Sequence, residues 1–310
     1  MAPTKILVTG GAGFIGSNTV DSLVAEGGFD ISVVDDLSSG KREQVNRAAR
    51  FHHGDLRNRE FVRDVVGREQ PEVVLHLAAQ MDLRRSVADP VVDAEVNLIG
   101  TLNLLEEGRA HGLRRFVFSS TGGAIYGEQE AFPCDEDHPL RPVSPYGVAK
   151  LAAEKYLFFY KVQYGIDYLA LRYANVYGPR QDPHGEAGVV AIFCGRMLEG
   201  KPVKIFGDGC QTRDYVYVGD VARANLAGLL GRASGAINIG TGIETSVNQL
   251  YKELAADNVE LKPIFDTARP GEQRRSVISS ARALRELHWK PEVALADGLA
   301  RTYDFFKSRR

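Results

Sequence analysis

Tyr146 and Lys150 lie four residues apart in SPYGVAK (144–150), just after a proline and just before the helix-forming run LAAEKYLFF. Four residues is about one helical turn, so a phenol and an ammonium share one helical face. A free phenol, with a pKa near 10, is a poor base at neutral pH. A positive charge beside it favours the phenolate and lowers that value. The pair is therefore a candidate for proton transfer. Taken alone, it reads more readily as a surface tyrosine packed on a lysine stem, and the rest of the chain has to decide.

A second group of residues could hold a ligand. TGGAGFIG (9–16) places Gly10, Gly13 and Gly16 between an apolar run and a helical stretch. Glycines there permit a tight turn and close backbone approach to a pyrophosphate, which sits at the N-terminus of the following helix. The spacing carries weight because a strand is expected before it and a helix after it. Asp35 ends the next apolar run, 22 residues after Gly13. An acid there would bind the adenosine ribose hydroxyls of a dinucleotide and repel the extra phosphate of NADP, so NAD is the expected cofactor.

Other chemistries are disfavoured. The 310 residues carry a net charge of −2, which gives no general attraction to nucleic acid or an anionic membrane. No run approaches the ~18 apolar residues of a membrane span, and MAPTKILVTGG has no signal-peptide core. Cys134, Cys194 and Cys210 are far apart and form no CxxC pair, which suggests a reducing compartment and a cytoplasmic protein. The histidines form no HxxxH pair. The adjacent His52 and His53 would point to opposite faces of a strand, so no metal site is expected.

The elements that must position these groups follow from hydrophobic period. KILVTG, ISVVD (31–35), EVVLHLA (72–78), RRFVFSS (114–120) and YLALRYANV (168–176) read as short buried strands. Helical stretches lie between them, at 14–27, 59–70, 91–112 and from 145 to 163. Strands alternating with helices imply βαβ units and a parallel sheet. After about residue 178 the rhythm changes to a Gly- and Pro-rich loop (178–188). Helix VVAIFCGRMLEG, strands PVKIF and DYVYV, helix GDVARANLAGLL and a final helix from Ala294 follow. The expected fold is α/β: a doubly wound, Rossmann-like parallel sheet in residues 1–177, with a smaller C-terminal α/β substrate lobe in 178–310 and an interleaved boundary.

With TGGAGFIG, Asp55 in HGDLR, HLAAQ (76–80), Asn97, FSSTGGAIYG (118–127), SPYGVAK and RYANVYGPR (172–180), the chain resembles the extended short-chain dehydrogenase/reductases. Within them it is most similar to the UDP-glucose 4-epimerases of bacterial and archaeal type. The likeness continues through GEAGVVAIF, KIFGDG, RDYVYVGDVA and RPGE. The resemblance implies that Tyr146 removes a proton from a sugar hydroxyl as hydride passes to NAD, and that Lys150 also holds the nicotinamide ribose. Thr121, 25 positions before Tyr146, is the third catalytic group, with Ser120 as the alternative. Hydride leaves C4 of the hexose, the 4-keto sugar turns over, and hydride returns to its other face.

The same resemblance assigns the contacts. NAD is held by Gly10, Gly13, Phe14, Ile15 and Gly16, by Asp35, Asp36, Leu37, Ser38, Ser39 and Gly40, and by Asp55 and Leu56. Leu77, Ala78, Ala79, Gln80, Asn97, Ser119, Ser120, Tyr146, Lys150 and Tyr173 complete that set. The UDP-sugar meets Thr121, Tyr146, Asn175, Val189, Lys204, Phe206, Arg213, Arg269, Glu272 and Ser276. Ser276 falls where relatives line the pocket beside the hexose C2 substituent. Its small side chain implies room for N-acetylated sugars. One departure is MDLRRSV after HLAAQ, where Met81 and Asp82 replace small residues. Two rivals stay open. A 4,6-dehydratase or other nucleotide-sugar epimerase is one, although Gly122 and Gly123 leave no acid beside Thr121. A non-catalytic NAD-sensing protein is the other. Surplus apolar positions on the helices at 91–112 and 145–163 (Leu98, Leu102, Leu105, Leu151, Leu157, Phe158) imply a homodimer, as in relatives that pair these helices.

Overall fold

The structure, a computed structural model, describes residues 2–183, 188–255, 262–268 and 273–309. The chain opens with β1 (Thr4–Thr9), α1 (Phe14–Glu26), β2 (Phe29–Asp35), β3 (Arg50–His53), α2 (Arg59–Glu69) and β4 (Val73–His76). Then come α3 (Leu83–Ala88), α4 (Pro90–Ala94), a π-helical turn over Glu95–Ile99, α5 (Gly100–Ala110) and β5 (Arg115–Thr121). Next are α6 (Pro145–Tyr164), β6 (Asp167–Tyr173), β7 (Asn175–Tyr177), α7 (Val189–Leu198), β8 (Lys204–Phe206), β9 (Thr212–Tyr217) and α8 (Val218–Leu230). The chain ends with β10 (Gly235–Ile239), β11 (Glu244–Ser246), α9 (Val247–Ala255), β12 (Ile264–Asp266), β13 (Arg275–Ser276), α10 (Ala281–Leu287) and α11 (Leu295–Ser308).

Seven strands form one parallel sheet in the order β10-β6-β5-β4-β1-β2-β3. The strands are near-continuous apolar runs because helices cover both faces. Alternation along each strand splits the core. Ile6, Val8, Val33, Leu75 and Leu171 face one side, where α1 and α8 pack. Leu7, Val34, Val74, Phe116 and Phe118 face the other, under α2, α5 and α6. The strand order reverses between β1 and β4, and in such sheets ligands bind outside the carboxyl ends of the strands at that switch. Both halves of the expected chemistry lie there.

The smaller lobe has its own core, which includes Val190, Phe193, Met197, Ile205, Tyr215 and Leu250. Its sheet centres on β9, which pairs with β7, β11 and β13. The run read as one strand at 168–176 is two: β6 stays in the large sheet, and after Ala174 the chain crosses to β9. The units interleave, because α8 packs on α1 and β10 returns to the large sheet beside β6. No helix among the described residues is long and apolar enough to cross a membrane.

Of the six apolar positions marked as surplus, Leu105 and Leu157 are buried in the chain's own core. Leu98, Leu102 and Leu151 pack against core clusters, and Phe158 stands exposed. The uncovered apolar surface is instead made by Val91 and Ile99 beside α4 and α5, and by Val148, Tyr156, Phe158, Phe159 and Val162 on α6.

Candidate active site

The glycine turn closes because there is no room for side chains. Gly10 has φ +70°, and a Cβ on it would lie 2.6 Å from the Ala78 nitrogen. A Cβ on Gly16 would lie 2.0 Å from the Gly10 carbonyl oxygen, so α1 begins against the turn itself. Gly13 caps α1 without a side-chain hydrogen bond, and the first turn carries no acid. The N–H groups around Phe14, Ile15 and Gly16 therefore face the switch point with positive partial charge, which suits a diphosphate. Asp35 ends β2 as expected. Its carboxylate accepts from the N–H of Ala12 and of Leu37, both at 2.9 Å, which fixes it beside the turn. Burial raises its pKa against the pull of those two donors. The loop Asp36–Gly40 folds back: Asp36 accepts from the Ser38 N–H and hydroxyl, and the Lys41 N–H reaches the Ala12 carbonyl. These features fit an NAD-type dinucleotide.

Asp55 lies past β3 with its carboxylate engaged by the Arg57 guanidinium at 2.9 and 2.6 Å, which lowers its pKa. Leu56 is buried beneath Gly100. After β4 the chain Leu77–Gln80 is pinned twice. The Ala78 N–H donates to Thr9 Oγ1, and the Gln80 backbone exchanges hydrogen bonds with the side-chain amide of Asn97, at 3.0 and 2.9 Å. Asn97 lies in the π-helical turn, and Thr101 donates to its carbonyl. Met81 is exposed, and Asp82 caps α3 through the N–H groups of Arg84 and Arg85, so this departure from the family pattern builds a helix start.

Pro145 at the first turn and Ser144 as N-cap, accepting from Gly147 N–H at 3.2 Å, start α6 just before Tyr146. Ser86 on α3 accepts the Tyr146 N–H at 2.8 Å. Lys150 is 1% exposed. Its ammonium donates to the Ser119 carbonyl at 2.9 Å and lies 4.6 Å from the Phe118 ring centre and 5.8 Å from that of Tyr146. The expected lowering of the phenol by the ammonium is not what the chain alone gives. Burial, and then the charge of Asp93, push the Tyr146 phenol above its ordinary value. Burial lowers Lys150 to about 7, opposed by Asp93 and Glu154. Beneath them, His76 bridges Thr9 and Thr101 at 2.6 and 2.9 Å, and burial with the nearby Lys150 pushes it down to about 3.

Strand alternation separates the two candidate hydroxyls. Ser120 turns inward and donates to Glu154 at 2.6 Å, within a buried pair in which Arg172 grips Glu154 at 3.0 and 2.7 Å. Thr121 lies on the other side at the strand end and accepts the Ala124 N–H at 3.1 Å. A Cβ on Gly123 would lie 3.9 Å from both Thr121 Oγ1 and Asn175 Oδ1, so these polar atoms flank a space that a side chain would fill. The Tyr173 hydroxyl donates to Asn225.

In the smaller lobe, Val189 begins α7, Lys204 on β8 pairs with Asp266 at 3.3 Å, and Phe206 ends β8. Arg213 lies on β9 and donates to the Thr212 carbonyl. Arg269 and Glu272 lie outside the described residues. Ser276 on β13 is 4% exposed, whereas Arg275 turns outward onto Glu244 and over the Phe132 ring. Ser86 and Asp93 were missed from sequence. Asp93 shares a buried stripe with Asn97, Thr101, Leu104 and Leu105, and an acid on such a stripe was the available signal.

A dinucleotide turn and a half-buried phenol beside a buried ammonium on one sheet edge define a class of nucleotide-dependent enzymes that move hydride and proton together. The chain belongs to the NAD dependent epimerase/dehydratase family, whose model matches residues 6–240. It is 49% identical to the UDP-glucose 4-epimerase of Thermotoga maritima, solved with UDP-glucose, over 99% of both chains with a TM-score of 0.95. It is 45% identical to the Thermus thermophilus UDP-glucose 4-epimerase, solved with NAD, over 99% of this chain and 100% of that one, TM-score 0.93. The UDP-N-acetylglucosamine 4-epimerase of Methanobrevibacter ruminantium, solved with UDP-N-acetylmuramic acid, is 32% identical over all of both chains, TM-score 0.94.

Proposed function

We propose that this chain interconverts UDP-glucose and UDP-galactose by NAD-dependent 4-epimerisation. The observation that carries the reading is the half-buried Tyr146 beside the buried Lys150 at the carboxyl edge of the sheet, two strands along from the glycine turn that follows β1. NAD, when bound, supplies the hydride acceptor and a positive ring that favours the phenolate. The α1 N-terminus and glycine turn hold its diphosphate, and Asp35 takes its ribose hydroxyls. Tyr146 accepts the proton of the sugar 4-hydroxyl and later returns it. Thr121 orients that oxygen; Ser120 is engaged by Glu154. Lys150 anchors the nicotinamide ribose and biases Tyr146 electrostatically. Residues 178–310 supply most of the UDP contacts: Asn175 just before them, then Val189, Lys204, Phe206, Arg213, Arg269 and Glu272. Binding and orientation of this kind contribute as much as the proton transfer itself.

Ser276 gates the C2 substituent. It is small and buried, and Arg275 faces outward, so neither fills the place an acetamido group needs. The similar UDP-N-acetylglucosamine 4-epimerase supports acceptance of N-acetylated sugars. The exposed apolar stripe of α6 with Val91 and Ile99 supports a homodimer, since contiguous apolar surface marks an interface. Three free thiols, one of them exposed, support a reducing, cytoplasmic setting. The test is incubation of the purified protein with UDP-galactose and no added NAD. UDP-glucose as product supports the reading, and no conversion by protein that carries NAD overturns it.

A further inference from the structure

Asp93 is 1% exposed, on a short helix that packs against α3 and α6. Its Oδ1 accepts from Gln80 Nε2 at 3.1 Å, and its Oδ2 has no hydrogen-bond partner among the described residues. Burying a carboxylate this way is costly, and a single neutral amide is weak compensation. An unsatisfied buried carboxylate oxygen of this kind calls for an explanation.

The groups around it narrow what that is. On α3, Arg84 and Arg85 are exposed, and Asp82 is engaged as the cap of its own helix. On β4, His76 is neutral, held between two hydroxyls. On β6, the Tyr173 hydroxyl donates to Asn225. On α6, Glu154 is matched by Arg172. On the π-helical turn, Glu95 is exposed and lies 3.7 Å from the Arg57 guanidinium, and Asp89 is engaged as the cap of α4 itself. Tyr146 and Lys150 remain. Lys150 has a carbonyl and a ring beside it and no carboxylate in direct contact among the described residues.

We propose that Asp93 is a positioning residue of this site: its buried carboxylate is the through-space counter-charge that keeps Lys150 an ammonium and keeps the proton on Tyr146 until positive charge enters the site. Its charge bears on both groups in the same sense, raising each. The consequence is a proton carrier that ionises in step with the charge state of the pocket. That protects the pair from an idle phenolate and makes uptake of the sugar proton by Tyr146 favourable as the positive charge is lost. The inference rests on Tyr146 as the proton carrier.

The perturbation is Asp93→Asn, which keeps the shape and the oxygen that accepts from Gln80 and removes the charge. Two readouts are needed on the NAD-bearing protein. One is kcat against pH for UDP-galactose. The other is the ultraviolet tyrosinate band without substrate, read as the difference between each protein and its Tyr146→Phe counterpart. Removing the charge lowers both pKa values, so Tyr146 ionises, and both limbs of the kcat profile fall, at lower pH by about one unit. A residue that only supports the fold would lower the amplitude and leave the limbs in place. Limbs and tyrosinate midpoint within a few tenths of a unit of wild type overturn the proposal. Asp93→Ser removes the same charge with less bulk and must give the same shift, so a folding defect of one variant does not decide the matter. Full activity in Tyr146→Phe would instead overturn the reading of Tyr146 itself.

Discussion

Replacing Gly16 with alanine puts a Cβ 2.0 Å from the Gly10 carbonyl oxygen, 2.7 Å from its carbonyl carbon and 2.8 Å from Gly11 Cα. All three are backbone atoms of the turn, so no side chain can swing away. Ordinary non-bonded contact needs about 3.5 Å, so α1 must withdraw by roughly 1–1.5 Å. Overpacking of this kind costs about 1–3 kcal/mol, a fall of roughly 2–6 °C in Tm for a chain of this size. The sharper effect falls on the ligand. The N–H groups of the first turn of α1 move with the helix, and a displacement near 1 Å at a positioning element costs on the order of 100-fold in turnover. The assay is NAD per chain after gel filtration, with Tm and kcat measured on the same sample. Gly27→Ala is the control. Gly27 has φ +76° and ψ 179°, a conformation essentially confined to glycine, with open space around it, so alanine there costs about 1–3 kcal/mol of backbone strain and leaves NAD content unchanged. Full NAD content and wild-type Tm in Gly16→Ala would refute the claim that close packing of α1 on the turn builds the cofactor site.

Three further outcomes follow from particular residues. Ser276→Tyr should depress kcat/KM for UDP-N-acetylglucosamine far more than for UDP-glucose, and an unchanged ratio would remove Ser276 from the gate. Phe158→Glu with Val162→Glu, both on the exposed stripe of α6, should give a monomeric mass in light scattering, against the dimeric mass expected of the wild type. His76 is neutral when folded, with a pKa of about 3 against an ordinary value near 6.5. The unfolded chain therefore takes up a proton that the folded one refuses. The His76 contribution is fully present above about pH 6.5 and is lost as pH falls toward 3, at up to about 1.4 kcal/mol per unit. Urea unfolding between pH 7 and 4 measures that slope, and His76→Gln should flatten it.

The central parallel sheet was legible because a strand buried on both faces is an unbroken apolar run, as in KILVTG and RRFVFSS. The strand β10 was not. GAINI follows a helix of the second half of the chain, and nothing local says that it returns to pair with β6, far back in the chain. The sequence also did not show the chain crossing to a second sheet after Tyr173, since 168–176 reads as one β-rich run. β3 was hidden because RFHH is polar; its Arg50 and His52 pair with Glu69 instead of burying apolar surface. At the site, motif spacing found the glycine turn, Asp35 and the Tyr146–Lys150 pair. Strand pleat, not motif, separates Thr121 from Ser120. The surplus apolar stripe was misjudged in detail because a helix pattern shows that a face is buried without saying by what. Leu105 and Leu157 belong to the chain's own core.

The most direct measurement on the central claim is turnover of UDP-galactose by Tyr146→Phe, with NAD content and UDP binding measured on the same protein. Phenylalanine keeps the ring beside Lys150 and removes only the hydroxyl. The account predicts wild-type NAD content and near-wild-type UDP affinity, with kcat reduced by at least about 10²–10⁴-fold. A variant that retains most of its turnover would contradict the account, because the proton of the sugar hydroxyl would then have another acceptor.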